Sequence, residues 1–191
     1  MLIQLALLVL ETVTGFFVVM LLARFYMQWM RVSFRNQVGQ FVVAVTDWMV
    51  RPARRVIPGL LGVDLPSLLL ALAIHSLYLA LAFWLKGFSF GAHPSIALIA
   101  ILAIGLVELV RYSIYILIGV VIVAVALSWV NPYSPVAPLF SALSRPFLKP
   151  FQRWLPPVAN VDLSPILLLL VLQIMLLLLT WVRTGLVSFV A

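Results

Sequence analysis

The sequence has no cysteine and little charge. Because none of its 191 residues is a cysteine, disulfides, thiolate metal ligands and thiol nucleophiles are excluded. Charged residues make up 9% of the chain, against about a quarter in soluble domains, so its surface does not suit water. Five residues are acidic and two are histidines, which leaves few groups for acid–base or metal chemistry.

Apolar side chains dominate instead, at 65% of residues with a mean hydropathy of +1.24. A helix that crosses a membrane needs about 20 apolar residues. The apolar runs predict an all-α integral membrane protein with about four transmembrane helices. Ser95–Val130 is too long for one crossing and short for two, and the repeat described next favours one. The predicted crossings are Leu2–Ala23, Ser67–Leu85, a segment near Tyr112–Val130, and about Pro165–Val182.

The chain contains an internal repeat with a constant offset of 98 residues and no gap. Proline, arginine and aspartate recur in a fixed frame, which indicates duplication because such matches rarely arise by chance. We therefore predict two tandem parallel membrane repeats, 1–90 and 91–191, each with an interfacial amphipathic helix. The identical pairs are Pro52/Pro150, Arg55/Arg153, Pro58/Pro156, Val63/Val161, Asp64/Asp162 and Leu65/Leu163.

The positive residues predict the orientation. Nine of the 12 lysines and arginines fall between the two helices of a repeat, an excess typical of cytoplasmic segments. The two basic segments lie on the same side of the membrane only when an even number of crossings separates them. Four helices satisfy this condition, because two of them lie between the segments. We expect a bacterial inner-membrane protein with cytoplasmic basic loops and both termini on the other side. The nine are Arg24, Arg31, Arg35, Arg51, Arg54, Arg55, Arg145, Lys149 and Arg153.

The second copy carries a recognisable motif. Residues 145–157 read Arg-Pro-Phe-Leu-Lys-Pro-Phe-Gln-Arg-Trp-Leu-Pro-Pro, and residues 162–165 read Asp-Leu-Ser-Pro. Over essentially the whole chain this pattern resembles the YggT family of small multi-pass bacterial membrane proteins, in its two-repeat form. The first copy departs from it, since Trp48 stands opposite Pro146, Gly59 replaces a proline, and residues 65–67 reverse the Ser-Pro order.

The resemblance implies a location more than a mechanism. Members of the family are inner-membrane proteins without an assigned biochemical activity. Bacterial members are linked to osmotic-shock tolerance and to division-associated gene neighbourhoods, and plastid members to cytochrome b6f assembly. It implies no catalytic residue.

An amphipathic segment precedes each basic Pro-rich loop. Apolar residues recur there at helical spacing, for example Val38, Val42 and Met49, with polar residues on the other face. Such a helix lies in the membrane interface with its cations toward lipid phosphate. We interpret this helix as an anchoring element. The alternative is that its exposed face binds a partner or senses lipid.

The repeated Arg, Pro and Asp positions form the principal candidate site. The prolines fix the backbone and predict rigid turns, while Asp64 and Asp162 are placed to cap the second helix of each repeat. The alternative is a substrate or ion site built from both loops, although no nearby histidine or second acid completes a metal shell. The candidate lipid or partner contacts are Arg51, Pro52, Arg55, Pro58, Asp64, Lys149, Pro150, Arg153, Pro156 and Asp162.

Polar groups also interrupt the apolar runs. A charge at bilayer depth costs at least about 2.5–3.5 kcal/mol on insertion scales, so each is expected to pair or to lie near an interface. Glu108 and Arg111 are one turn apart and are expected to pair. Glu11 is interfacial if the first helix starts later, and is otherwise a candidate for proton or ion handling. The 98-residue offset pairs His75 with Gln173, which predicts an interhelical hydrogen bond in both repeats.

Two functional hypotheses follow. The first is a non-enzymatic scaffold or assembly factor whose basic helices contact anionic lipid headgroups and a membrane protein partner or a second copy. The alternative is a small ion or osmolyte transporter or channel, which usually shows more polar groups at mid-membrane. No enzyme motif is found, so we predict no catalytic residue, cofactor or metal, and the distribution of the cations argues against nucleic acid.

Overall fold

The computed structural model describes residues 1–57, 64–87, 94–154 and 162–188. Four helices within these ranges are long and apolar enough to cross a membrane. The predicted all-α membrane class with four spanning helices is therefore confirmed. In chain order the helices of the described ranges are α1 Leu2–Trp29, α2 Gln37–Val56, α3 Leu65–Leu85, α4 Pro94–Val130, α5 Ala137–Trp154 and α6 Ser164–Ser188. The spanning helices among them are α1, α3, α4 and α6.

The two repeats have the same helix arrangement. In the first, α1, α2 and α3 pack on one another, and α4, α5 and α6 do the same in the second. A shift of 98 residues places α1 inside α4 and superposes the start of α3 on that of α6 to within a residue. The repeats meet where α4 packs against α1 and α3. The predicted boundary at residues 90 and 91 lies outside the described residues.

The spanning helices are longer than predicted. α1 continues beyond Ala23 to Trp29, and α4 runs unbroken from Pro94 to Val130. No proline falls inside α4 to break it, and its glycines are isolated. At about 1.5 Å per residue α4 is about 55 Å long, well beyond the ~30 Å hydrocarbon core, so it spans once with tilt or with one end outside.

Two glycines allow α4 to approach its neighbours closely. A Cβ on Gly105 would lie 2.8 Å from Oγ of Ser76 in α3, closer than real Cβ atoms come. A Cβ on Gly15 in α1 would lie 3.0 Å from the hydroxyl of Tyr112 in α4. Small residues at helix crossings are typical of membrane proteins because lipid provides no hydrophobic drive for association.

The basic Pro-rich segments are helical, whereas the sequence predicted loops. α2 continues through Pro52 to Val56, and α5 contains both Pro146 and Pro150. A proline inside a helix leaves the carbonyl four residues earlier without its N–H partner. Those earlier residues, Trp48 and Ala142 for the first two prolines, are exposed, so solvent or headgroups have access to that side of the helix. Pro58 and Pro156, the predicted turn residues, lie outside the described residues.

Candidate functional site

Cations line the exposed side of α2 and α5. In α5, Arg145, Lys149 and Arg153 are exposed and recur every fourth residue, so they follow one side of the helix. Arg51 and Arg55 occupy the equivalent positions of α2 and are also exposed. We call these five cations the basic faces of α2 and α5. The repeated prolines Pro52 and Pro150 are exposed on the same helices.

A buried ion network joins α1, α2 and α3. Arg24 of α1 is 5% exposed and donates to the Thr46 hydroxyl at 2.9 Å and to the Asp47 carboxylate at 3.2 Å. Its Nε lies 3.5 Å from the carboxylate of Asp64, which is 1% exposed at the start of α3. Arg54 of α2 donates to that carboxylate at 3.0 Å. We call this set the Arg24–Asp64 network.

This network corrects two predictions. Arg24 was expected among the loop cations, but it is buried inside α1 because that helix continues past Ala23. Asp64 precedes α3 as expected, yet its carboxylate accepts no cap hydrogen bond from the backbone of that helix. It accepts instead from the Ser67 hydroxyl at 2.7 Å and from Arg54 at 3.0 Å, and it forms an ion pair with Arg24. Asp64 therefore acts as the common anion of a buried cluster.

The second repeat has no copy of this network at the equivalent positions. The 98-residue offset places Ile122 opposite Arg24 and Gln152 opposite Arg54. Asp162 is exposed and accepts from the Gln152 amide at 2.8 Å and from the Ser164 backbone N–H at 2.9 Å. The second bond comes from the first residue of α6, so Asp162 satisfies a free N–H at a helix start, as predicted.

The electrostatics of Asp162 follow from these contacts. Partial burial acts to raise the pKa of Asp162, but the hydrogen bonds from Ser164 and Gln152 favour the ionised form and leave the pKa below its ordinary value. This carboxylate is therefore charged at neutral pH. It is the only acid that faces the helix start in the described part of this repeat.

A second polar cluster joins α4 to α6. Glu108 is 9% exposed and accepts from Arg111 of its own helix at 2.8 Å, as their spacing predicts. Arg183 of α6 forms an ion pair with the same carboxylate. Arg183 lies 19 residues into α6, about 28 Å from the helix start. We call these three residues the membrane ion cluster, which lies well away from the basic faces.

The interhelical hydrogen bond predicted for His75 and its equivalent Gln173 is not found for His75 among the described residues. His75 is buried against the rings of Tyr78 and Tyr112, with centroid distances of 5.7 and 5.5 Å. Neither ring nitrogen of His75 has a hydrogen-bond partner among the described residues. Gln173 is exposed on the outer surface of α6. The two helices turn different faces to their neighbours at these positions, which sequence offset alone does not reveal.

Glu11 lies ten residues inside α1, so the helix does not start later as one interpretation required. Its carboxylate interacts with the hydroxyl of Tyr78 on α3. Along α1, Glu11 is 13 residues, about 20 Å, from Arg24. Within the residues that the structure describes, no group of three His, Asp or Glu side chains is placed to hold a metal ion.

Both repeats match a known family of proteins. The sequence model of the CCB3/YggT family matches residues 3–85 and 103–183, one segment in each repeat. The chain is 33% identical over 171 residues to the uncharacterized protein PA0392 of Pseudomonas aeruginosa, covering 88% of this chain and 85% of that protein. It is 33% identical over 166 residues to the uncharacterized protein YggT of Escherichia coli K12, covering 86% and 84%. No solved structure matches the chain.

Proposed function

This chain belongs to the CCB3/YggT family of proteins, and from that premise we propose that it is a non-enzymatic, multi-pass membrane scaffold or assembly factor. Its interaction surfaces are the basic faces of α2 and α5. These faces contact anionic lipid headgroups and hold a membrane protein partner or a second copy of the chain. The proposal includes no catalytic residue, cofactor, metal or nucleic acid.

The observation that carries the proposal is the duplication of exposed cations on two short helices. In α2 the exposed side also carries aromatic residues, Phe41 at 52% and Trp48 at 66% exposure. An exposed helix side that carries cations and aromatic residues together is suited to the membrane interface, where cations meet phosphate and the rings meet the acyl boundary. Each cation near an anionic leaflet contributes about 1 kcal/mol of attraction. Two such helices in one chain form a paired, pseudo-symmetric docking surface.

The Arg24–Asp64 network supports the same proposal. Its ion pairs connect α2 to both spanning helices of its repeat, so the position of the first basic face is fixed relative to the bundle. A surface that recognises a partner benefits from such a fixed position, because less conformational freedom is lost on binding.

The proposed location is the bacterial inner membrane, with α2 and α5 on the cytoplasmic side. The positive residues between the spanning helices favour this orientation. Both basic faces then meet the anionic leaflet and cytoplasmic partners, while α1 and α4 begin on the opposite side.

The test removes the basic charge while keeping Arg24, Arg54 and Asp64 of the buried network; Arg51 also pairs with Asp47 at 2.7 Å, and Asp47 keeps Arg24 when Arg51 is replaced. Arg51, Arg55, Arg145, Lys149 and Arg153 are replaced by Gln, and the chain is isolated in mild detergent after crosslinking in membranes. We expect retained anionic lipid and crosslinked membrane partners to fall strongly at unchanged abundance. Lys86→Gln, an exposed cation at the other end of α3, serves as control. Retention equal to that of the wild type would contradict the proposal.

A transporter or channel for ions or osmolytes, active in osmotic stress, is the second candidate. It is favoured by buried polar atoms of His75 and Ser76 that have no hydrogen-bond partner among the described residues, and His75 interacts electrostatically with Glu108 of the membrane ion cluster. Purified chain in proteoliposomes is assayed for potassium, sodium and proton flux, with Glu11→Gln and Glu108→Gln as variants. Flux that depends on either acid would favour transport over the scaffold proposal.

A further inference from the structure

Two adjoining cavities lie between the repeats near the basic faces. The first, of about 520 Å³, is open on one side and is lined by the end of α1, by Val38 and Val42 of α2, and by α4, α5 and α6. The second lies between the α1–α2 connection and the start of α5. Met30 and Leu139 line both cavities, so the two are neighbours and form one cleft.

The first cavity is almost entirely apolar. Val120, Phe147, Leu172 and other aliphatic or aromatic side chains line it, and the hydroxyl of Ser113 in its wall already donates to the Leu109 carbonyl. Its volume falls in the range of about 300–1,000 Å³ that is typical of small-molecule sites. A lining of this kind offers shape and dispersion contacts to a hydrocarbon chain and few hydrogen bonds to a polar ligand.

The second cavity is cationic. Arg31 and Arg35 line it, and no acidic residue is among the described residues of its wall. Neither side chain is in any ion pair formed between described residues. Arg31 has a φ of +53°, a left-handed conformation that non-glycine residues adopt infrequently. This residue lies in the turn that ends α1, where the Val32 N–H donates to the Met27 carbonyl at 2.8 Å, so it sets the direction in which the chain leaves the helix.

From the apolar cavity and its cationic neighbour we infer that the cleft binds one anionic phospholipid. An acyl chain occupies the apolar cavity, and the headgroup phosphate lies between Arg31 and Arg35. Charge complementarity selects an anionic lipid over a zwitterionic one, because both offer a phosphate to the two guanidinium groups but the zwitterionic headgroup adds a cation that they repel. The inference rests on the proposed interfacial position of α5, and it uses none of the cations assigned to the basic faces.

The test measures lipid binding to the full chain. Delipidated protein in detergent micelles is titrated with phosphatidylglycerol or with phosphatidylcholine of the same acyl chains, and bound lipid is counted by native mass spectrometry. We expect one tightly bound phosphatidylglycerol with a preference of about 10- to 30-fold over phosphatidylcholine, since two cations act on it. Glycerol 3-phosphate, which has the headgroup chemistry without the chain, should not displace it.

Paired variants separate the two halves of the cleft. Arg31→Gln with Arg35→Gln should abolish the preference, Arg31→Lys with Arg35→Lys should keep most of it, and Lys86→Gln should leave it unchanged. Val171→Phe, from a partly exposed lining position of α6, should weaken binding of both lipids. Leu170→Phe, on the neighbouring outward position, is its control.

Several outcomes would overturn the inference. Equal binding of the two lipids would show that the cleft does not select charge. Loss of phosphatidylglycerol in the variant without the five basic-face cations, with retention in the Arg31/Arg35 variant, would assign lipid binding to the basic faces and leave the proposed function standing. A dimer that dissociates in Val171→Phe, with no bound lipid in the wild type, would assign the cleft to a second copy.

Discussion

Replacing the two equivalent aspartates should have unequal consequences. Asp64 is 1% exposed, lies 3.0 Å from Arg54 and 3.5 Å from Arg24, and accepts from the Ser67 hydroxyl. Breaking a buried ion pair by removing one partner typically costs about 3–5 kcal/mol. Arg24 keeps Asp47 at 3.2 Å, and Arg54 is half-exposed, so the lower end of that range applies to Asp64→Ala. We expect a loss of about 3 kcal/mol.

Asp162→Ala should cost much less. Asp162 is exposed, and the substitution removes two hydrogen bonds that its carboxylate accepts, one of them from the N–H of the first residue of α6. Loss of such a helix-start contact costs about 0.5–2 kcal/mol. The free energy of unfolding of the full chain is measured in mixed micelles by circular dichroism, at one detergent composition for both variants.

A third variant tests the mechanism. Replacing Arg24 and Asp64 together by Leu removes both charges, and buried ion pairs replaced by apolar residues are often neutral in stability. The double variant should therefore be more stable than Asp64→Ala, although Arg54 loses its partner. If Asp64→Ala and Asp162→Ala cost the same within experimental error, the buried network does not contribute what its geometry indicates.

Four further predictions follow from the described contacts. Reporter fusions after Arg55 and Arg153 should report cytoplasm and a fusion after Lys86 the other side; basic segments found on opposite sides would refute the parallel repeats. Glu108→Gln should lower stability by about 3 kcal/mol by leaving Arg111 and Arg183 without their shared acid, whereas Glu11→Gln should cost less in the same micelle assay. Gly105→Val should destabilise the chain by about 1–3 kcal/mol through the contact with Ser76, and Gly119→Val, with open space around it, should not. The folded-state pKa of Asp162 is lowered, so the stability that its carboxylate contributes is complete above the ordinary pKa of 3.8 and is lost as the pH falls through the folded-state pKa. The difference in unfolding free energy between wild type and Asp162→Asn should therefore shrink only in strong acid.

The parts of the fold that depend on local pattern were predictable from sequence. The apolar runs gave the spanning helices, and the constant offset of Pro52/Pro150 and Asp64/Asp162 gave the two repeats with their shared arrangement. Pairing of Glu108 with Arg111 was predictable because both lie one turn apart on a single helix. Each of these inferences needs only the geometry of one helix or a comparison of two segments.

The buried network was not predictable because it depends on contacts between distant segments. Arg24 meets Asp47 and Asp64, which follow it by 23 and 40 residues, and nothing in the local sequence indicates which acid turns toward α1. A single cation at the end of an apolar run signals only that some partner or interface exists. The asymmetry between the repeats was nonetheless visible in principle, since Ile122 stands opposite Arg24 in the 98-residue frame.

The continuation of α1 beyond Ala23 has a consequence for the order of membrane insertion. Arg24 is synthesised 40 residues before Asp64, so the first helix enters the membrane with a cation whose deepest anionic partner does not yet exist. Of its two acidic partners in the fold, Asp47 is made first, 23 residues after Arg24. The first repeat closes around its cation only when the start of α3 arrives. In the second repeat Ile122 stands at the position of Arg24, and the charge of α4 lies elsewhere: Glu108 pairs with Arg111 of its own helix before Arg183 of α6 is made.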